Sequence, residues 1–106
     1  MIMFSTSFTS KQLFQLGNIV ATPGAIAATT LWKRVTLIAR HHAGDWGVVC
    51  ADDKATNDEA VRIGERILTA YPIDPTKPCK GYGENCIWVI TERDRSLTTL
   101  LLPSEY

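Results

Sequence analysis

The spacing of apolar residues changes once along this chain, and that change restricts it to folds that hold helices and strands together. Over Leu31 to Ala43 the residues Leu31, Val35, Ile38, Ala39 and His42 recur at intervals of three and four. That spacing predicts a helix with an apolar stripe turned to the core. Gly44 stops it, because glycine readily takes the left-handed conformation that follows a helix. Another helix is predicted from Asp52 or Asp53, whose carboxylate can cap its amides, to about Ile63. Asn57, Ala60, Val61 and Gly64 share one of its faces. From Arg66 to Tyr71 the period becomes two: Ile67, Thr69 and Tyr71 alternate with Arg66, Leu68 and Ala70. Cys86 to Thr91 and Leu97 to Leu102 read as further strands from their β-branched and aromatic content. Glu92 to Ser96 suits the hairpin turn between them.

Upstream, Asn18 to Ala21 reads as a short edge strand. Thr22-Pro23 then opens a short helix through Ala28, a hydroxyl able to cap followed by proline where no N–H is missed. The order is strand, three helices, antiparallel meander. It predicts an α+β domain, about three N-terminal helices packed on one face of a small, mostly antiparallel three- to four-stranded sheet. Residues 1–16 read as a flexible segment and 17–106 as the single domain. An irregular loop at 74–84 falls within the proline- and glycine-rich stretch 72–85.

At 106 residues the chain can bury one core without staples. Its 11 basic and 11 acidic residues cancel, so nothing global draws it to nucleic acid or an acidic membrane. The balance is uneven, since residues 1–50 carry Lys11, Lys33, Arg34 and Arg40 against Asp45 alone. The first residues lack a basic leader region and any run long enough to span a bilayer, so the expected location is cytoplasmic. Cys50, Cys79 and Cys86 form an odd set without C-x-x-C, which argues against a disulfide framework and a zinc knuckle. Cys50 and Cys86 lie in apolar runs and are expected to be buried.

The densest chemistry is ARHHAGDWG, Ala39 to Gly47. His41 and His42 are neighbours about 100° apart on a helix, so they do not readily share a metal, and no metal site is expected. The structural reading is a helix end covered by Trp46; the functional one is a site using His41 with Asp45. In TERDRSLTT, Arg95 with Ser96, Thr98 and Thr99 would suit an anion, while a solvated turn built on Asp94 is the plainer reading. Arg66 opens the preceding strand. If His41, Arg66, Tyr71, Arg95 and Ser96 met, they would form a metal-free phosphodiester-cleaving site with an imidazole acid or base and charge-stabilising guanidiniums. Asn57, on an inward helix face, needs hydrogen-bond partners, either the Gly44–Gly47 corner or a ligand. Trp32 and the terminal LLPSEY are candidates for self-association. No phosphate loop, dinucleotide fingerprint, nucleophile elbow or zinc-protease motif occurs, and no cofactor is expected.

Taken together, GNIVATPGAIAA, ARHHAGDWG and WVITERDRSLTTLLLPSEY resemble a family of small proteins carried on plasmids, integrative elements and prophages. Its members are called plasmid-related proteins or type I restriction endonuclease subunit M. The resemblance covers about residues 17 to 106, with 74–84 as a variable part. It implies an accessory protein of a mobile genetic element. The restriction label does not fit, because a methyltransferase subunit needs a nucleotide-binding α/β domain and its glycine loop.

Three functions follow as expectations. The favoured one is a protein-interaction module, with a protein partner or a second copy bound, acting on a host defence or toxin system. The alternatives are a metal-independent toxin-like endoribonuclease using His41, Arg66 and Arg95 on RNA, and a sensor of nucleotides or other anionic ligands. The ligand contacts in the last two would be Asp45, Trp46, Asn57, Tyr71, Ser96 and Thr98.

Overall fold

In the computed structural model, which describes residues 12–106, every predicted element forms. The order is β1 (Asn18–Ala21), α1 (Pro23–Ala28), α2 (Leu31–His42), α3 (Ala51–Ile63), β2 (Ile67–Pro72), β3 (Cys86–Thr91) and β4 (Leu97–Leu101), closed by a 3-10 turn at Pro103–Glu105. The architecture is α+β, three helices with a four-stranded sheet in the order β1-β4-β3-β2. The sheet is mixed: β2, β3 and β4 run antiparallel in sequence, but β1 pairs β4 in parallel. A parallel partner needs a long crossover, and here α1, α2, α3 and the two other strands all lie between β1 and β4.

Side-chain alternation sorts the sheet. Ile67, Thr69 and Tyr71 of β2 pair with Thr91, Val89 and Ile87 of β3, and Thr91 and Val89 continue to Thr98 and Leu100 of β4. All eight are buried. Leu37 of α2 and Ala25 of α1 pack on the Tyr71, Ile87, Val89 and Leu100 part of this face. On the other face, Trp88 meets Tyr106 edge-on at 5.5 Å between ring centres, and its indole N–H donates to Gly81 O at 2.8 Å. The terminus therefore folds onto the sheet, and Glu105 accepts from Gly24 N at 3.0 Å and Leu102 N at 2.9 Å.

The helix ends largely follow their residues. Thr22 accepts from Ala25 N at the start of α1 and Thr30 from Lys33 N at the start of α2. The predicted carboxylate cap of α3 differs: the capping position is Cys50, and Asp52 and Asp53 lie inside the first turn, where they complement the dipole. Cys50 is exposed rather than buried, because that capping position faces solvent; Cys86 is buried as expected. Of the segment expected to be flexible, residues 1–11 lie outside the described residues. Phe14 is buried in the core.

The larger departure concerns α2. Its apolar stripe was expected to face inward, yet Leu31, Val35 and Ala39 are exposed, and the inward residues are Leu37 and His41. At about 100° per residue, Leu31, Trp32, Val35, Thr36 and Ala39 fall within an arc of about 140°, and all five are exposed. The helix is thus apolar on two sides, and the sheet takes the side that carries fewer of the aliphatic residues.

Candidate functional site

Residues Ala39 to Gly47 form a helix end tied into the sheet. Gly44 N donates to His41 O at 3.2 Å and Asp45 N to Arg40 O at 2.9 Å, with Gly44 at φ 89°. This paired arrangement satisfies carbonyls that the last helical turn leaves open. The chain then runs alongside the outer edge of β2: Val48 N donates to Ala70 O at 2.8 Å, and Gly47 bridges Ala70 in parallel. Trp46 is buried and its indole N–H donates to Asp58 Oδ1 at 2.8 Å, which joins the corner to α3.

Asn57 completes the edge. Its amide nitrogen donates to Leu68 O at 2.8 Å and its oxygen accepts from Leu68 N at 3.3 Å, so one side chain imitates a neighbouring strand. It holds β2 rather than the Gly44–Gly47 corner. Replacing Asn57 with alanine should lower stability by about 2 kcal/mol, since both Leu68 groups lose their partner at the sheet edge. Urea unfolding together with faster Leu68 amide exchange would show this; a change within about 0.5 kcal/mol, typical of an indifferent surface site, would contradict it.

His41 lies at the centre, fully buried. Its Nδ1 is 2.7 Å from Thr69 Oγ1 and its Nε2 2.8 Å from Thr91 Oγ1. Thr91 Oγ1 is 2.7 Å from Thr98 Oγ1, and Thr98 donates to Leu16 O at 2.7 Å. A hydroxyl has one proton and a carbonyl only accepts, so Thr98 donates to Leu16, Thr91 donates to Thr98, and His41 Nε2–H donates to Thr91. With a neutral ring the Thr69 proton goes to Nδ1 at 2.7 Å rather than to Val89 O at 3.3 Å. Both ring nitrogens are thereby occupied, and neither is free to meet a substrate. Burial, then His42, then Arg95, bring the imidazole down from 6.5 to about 3, so it is neutral at pH 7.

The other residues singled out in the sequence are placed as follows. Arg95, at φ 61°, reaches back to the end of α3, donating to Ala60 O at 3.0 Å and Glu65 O at 2.5 Å. Arg66 pairs with Glu92 at 3.9 Å and lies over the Tyr106 ring, toward the other face of the sheet. Tyr71 is buried, with its hydroxyl donating to Asp45 O at 2.6 Å and Arg40 over its ring. Burial raises its pKa above the usual tyrosine value. Asp45 takes a 2.7 Å bond from Arg40 Nε. Burial raises its pKa, but the Arg40 and Gly47 hydrogen bonds outweigh that and hold the carboxyl below the ordinary range. Ser96 serves the hairpin, its N and Oγ both donating to Asp94 Oδ1.

The Gly44–Gly47 corner and the Arg95 hairpin do come to one side of the molecule, with Phe14 between them. Its ring lies 5.2 Å from His41 edge-on and 6.3 Å from Trp46, with the Arg95 guanidinium 5.5 Å above it. His41 and Arg95 thus both meet the Phe14 ring, but His41 has no exposed surface with which to line a cleft, and Arg66 lies instead over Tyr106. Sequence reasoning missed Phe14, Thr69 and Thr91. Alternation put Thr69 on the same face as Ile67 and Tyr71, but the helical stripe pointed inward with His42 rather than His41, so no local pattern marked the partner of the two threonines.

A concavity of 790 Å³ opens elsewhere, lined by Asp74, Lys77, Lys80, Tyr82 and Asn85 among others, and none of the expected site residues borders it. Among the described residues no three His, Cys, Asp or Glu side chains cluster as a metal site requires, and no helix is long and apolar enough to cross a membrane. The fold and its hydrogen-bonded polar interior define a small α+β scaffold, and among its described residues Leu31, Trp32 and Val35 stand exposed on one helix. No protein-family model, curated protein or solved structure matches the chain.

Proposed function

We propose that this chain is a cytoplasmic protein-interaction module, an accessory protein of a mobile genetic element acting on a host defence or toxin system, and that it docks through the outward face of α2. What carries the reading is one observation. Leu31 is 70% exposed, Trp32 77% and Val35 48%, side by side on one helix, with Ile26 of α1 at 50% nearby in sequence. A solvent face of a helix ordinarily carries charge, and five exposed residues here carry none.

The partner that suits this face is a different protein presenting an apolar stripe with acidic flanks. The charged residues of α2 are all cations, Lys33, Arg34 and Arg40, so a symmetric dimer through it would oppose like charges. A nucleic acid is disfavoured. Lys33, Arg34 and Arg40 flank an apolar arc of the helix instead of forming the continuous row of cations that a phosphate backbone requires.

The probe is a labelled amphipathic peptide with leucines at helical spacing and glutamates on its flanks, followed by fluorescence anisotropy. Binding should fall by about thirtyfold in a Trp32→Glu, Val35→Glu variant, the size expected when a central aromatic anchor is lost. The urea midpoint should stay unchanged, and a lysine-flanked peptide should bind more weakly. Equal binding by the variant would refute the docking face. Concentration-dependent dimerisation abolished by the same variant would assign it to a second copy instead.

A further inference from the structure

We propose that the outer edge of β1 is a self-association surface, on which β1 of a second copy pairs antiparallel and continues the sheet. Nothing in the docking reading depends on it, since it uses a different element. β1 stands at one end of the sheet order, with β4 alone beside it. Asn18 N donates to Ser96 O and Thr22 N to Leu100 O, both at 3.0 Å. Alternate residues of a strand turn their backbone groups the same way, so Val20 also faces β4, and Ile19 and Ala21 face outward. Among the described residues no backbone group pairs with the outward N–H or C=O of Ile19 or Ala21.

The two edges of the sheet are finished differently. The outer side of β2 is closed by the Gly47–Val48 segment and by Asn57. Proteins protect an open edge with charge, proline, a bulge or a covering segment. Asn18–Ala21 has no charge and no proline, and its register with β4 runs without interruption. Asn18, Ile19 and Val20 are exposed in succession, so both faces of the strand reach solvent at this edge. An apolar edge of that kind is a template for another strand.

A second copy fits this edge because the strand complements itself. A two-fold axis at Val20 sets Ile19 opposite Ala21 of the other copy, and Ala21 opposite its Ile19. Each such pair exchanges both of its hydrogen bonds, which uses every outward backbone group of β1. Val20 then meets its own copy, bulky Ile19 meets small Ala21, and Asn18 meets Thr22, which is still extended at φ −72° and ψ 160°. Ile19 and Val20, 47% and 44% exposed, withdraw apolar surface from water. No charge opposes a like charge along the strand, in contrast to the cations of α2. So short a contact predicts weak association.

The test is sedimentation equilibrium of the full chain up to about 1 mM, high enough to register weak binding. The wild type should dimerise as concentration rises. Ile19→Pro removes an outward donor without touching a bond to β4, so it should keep its fold. It should weaken the dimer by about thirtyfold, since half of the hydrogen bonds between copies are deleted. Val20→Lys and Val20→Glu should each be monomeric alone, and an equimolar mixture should recover a one-to-one dimer, because the two side chains lie opposite each other. Amide exchange reads the same edge without a variant. Raising the concentration should slow exchange at Ile19 and Ala21 and leave Asn18 and Val20 unchanged. A wild type that stays monomeric throughout overturns the proposal and leaves the edge to a strand of another protein. A dimer that persists in Ile19→Pro, that the mixture fails to restore, or that the Trp32→Glu, Val35→Glu variant abolishes would overturn it as well.

Discussion

Acidification from pH 7 towards pH 3 should remove about 5 kcal/mol of stability through one imidazole, His41, at 1.36 kcal/mol per pKa unit. Its pKa is 6.5 in the unfolded chain and about 3 in the folded protein, lowered chiefly by burial and then by His42 and Arg95. Below pH 6.5 the unfolded chain takes up a proton that the folded one refuses. The stabilisation is therefore complete above pH 6.5 and is lost progressively as pH falls to about 3. Carboxylates held below their usual range, such as Asp74 and Asp94, add losses of the same sign only in the more acidic part of that window. The range between pH 6.5 and 5 isolates the histidine, where the wild type should lose about 2 kcal/mol. His41→Gln, whose amide can both accept from one threonine and donate to the other, should be less stable at pH 7 and nearly flat over that range. Urea midpoints of both proteins at several pH values measure this. A flat wild-type profile, or an unchanged slope in His41→Gln, would contradict it.

Gly47→Ala should destabilise the protein by about 3 kcal/mol or more, lowering the melting temperature by about 12 °C or more for a domain of this size. Gly47 sits at φ 75°, where a side chain alone adds about 1 kcal/mol. A β-carbon there would lie 1.9 Å from the Ala70 carbonyl oxygen, backbone that has nowhere to go. The segment would have to leave β2, breaking the Val48–Ala70 hydrogen bond and loosening the Trp46 plug. Gly44→Ala is the internal comparison. It shares a positive φ, but its β-carbon would meet only the end of the Leu13 side chain at 2.6 Å, so about 1 kcal/mol is expected. Calorimetry on the two variants checks the difference. Equal losses would mean that the corner does not pair with β2 as described.

The parts of the fold that were legible in the sequence are those set by local chemistry. Thr22-Pro23 and Gly44 mark helix ends because capping and left-handed backbone involve a few adjacent residues. The loop before β3 announces itself by proline and glycine. The parallel placement of β1 was not legible, because it depends on a crossover whose direction no local pattern records. Nor was the orientation of α2. Leu31, Val35 and Ala39 form as regular a stripe as any core-facing one, and periodicity says that a helix has an apolar side without saying what covers it.

The site was legible only as a list. Arg95 and Ser96 read equally as anion ligands and as turn residues, and the turn and the end of α3 take them. Tyr71, Asn57 and Thr98 are inward, and each is engaged by the protein itself: the Asp45 carbonyl, the β2 edge, and the hydroxyl chain running to Leu16. His41 could be weighed against catalysis only once Thr69 and Thr91 were seen on both of its nitrogens. Among the described residues no buried side-chain nitrogen or oxygen lacks a partner, and a polar interior of that kind holds a fold in one arrangement and offers little to a ligand. That is why the outward face of α2 carries the functional proposal.

The most direct test that His41 is an interior strut is a nitrogen-15 correlation spectrum of its imidazole, followed from about pH 7.5 down to about pH 4. The hydrogen-bond chain places a proton on Nε2, and burial keeps the ring neutral, so no titration step is expected in that range. A midpoint between about pH 6 and 7, or a proton on Nδ1 in the neutral ring, would mean that solvent reaches the imidazole and that the interior is not closed.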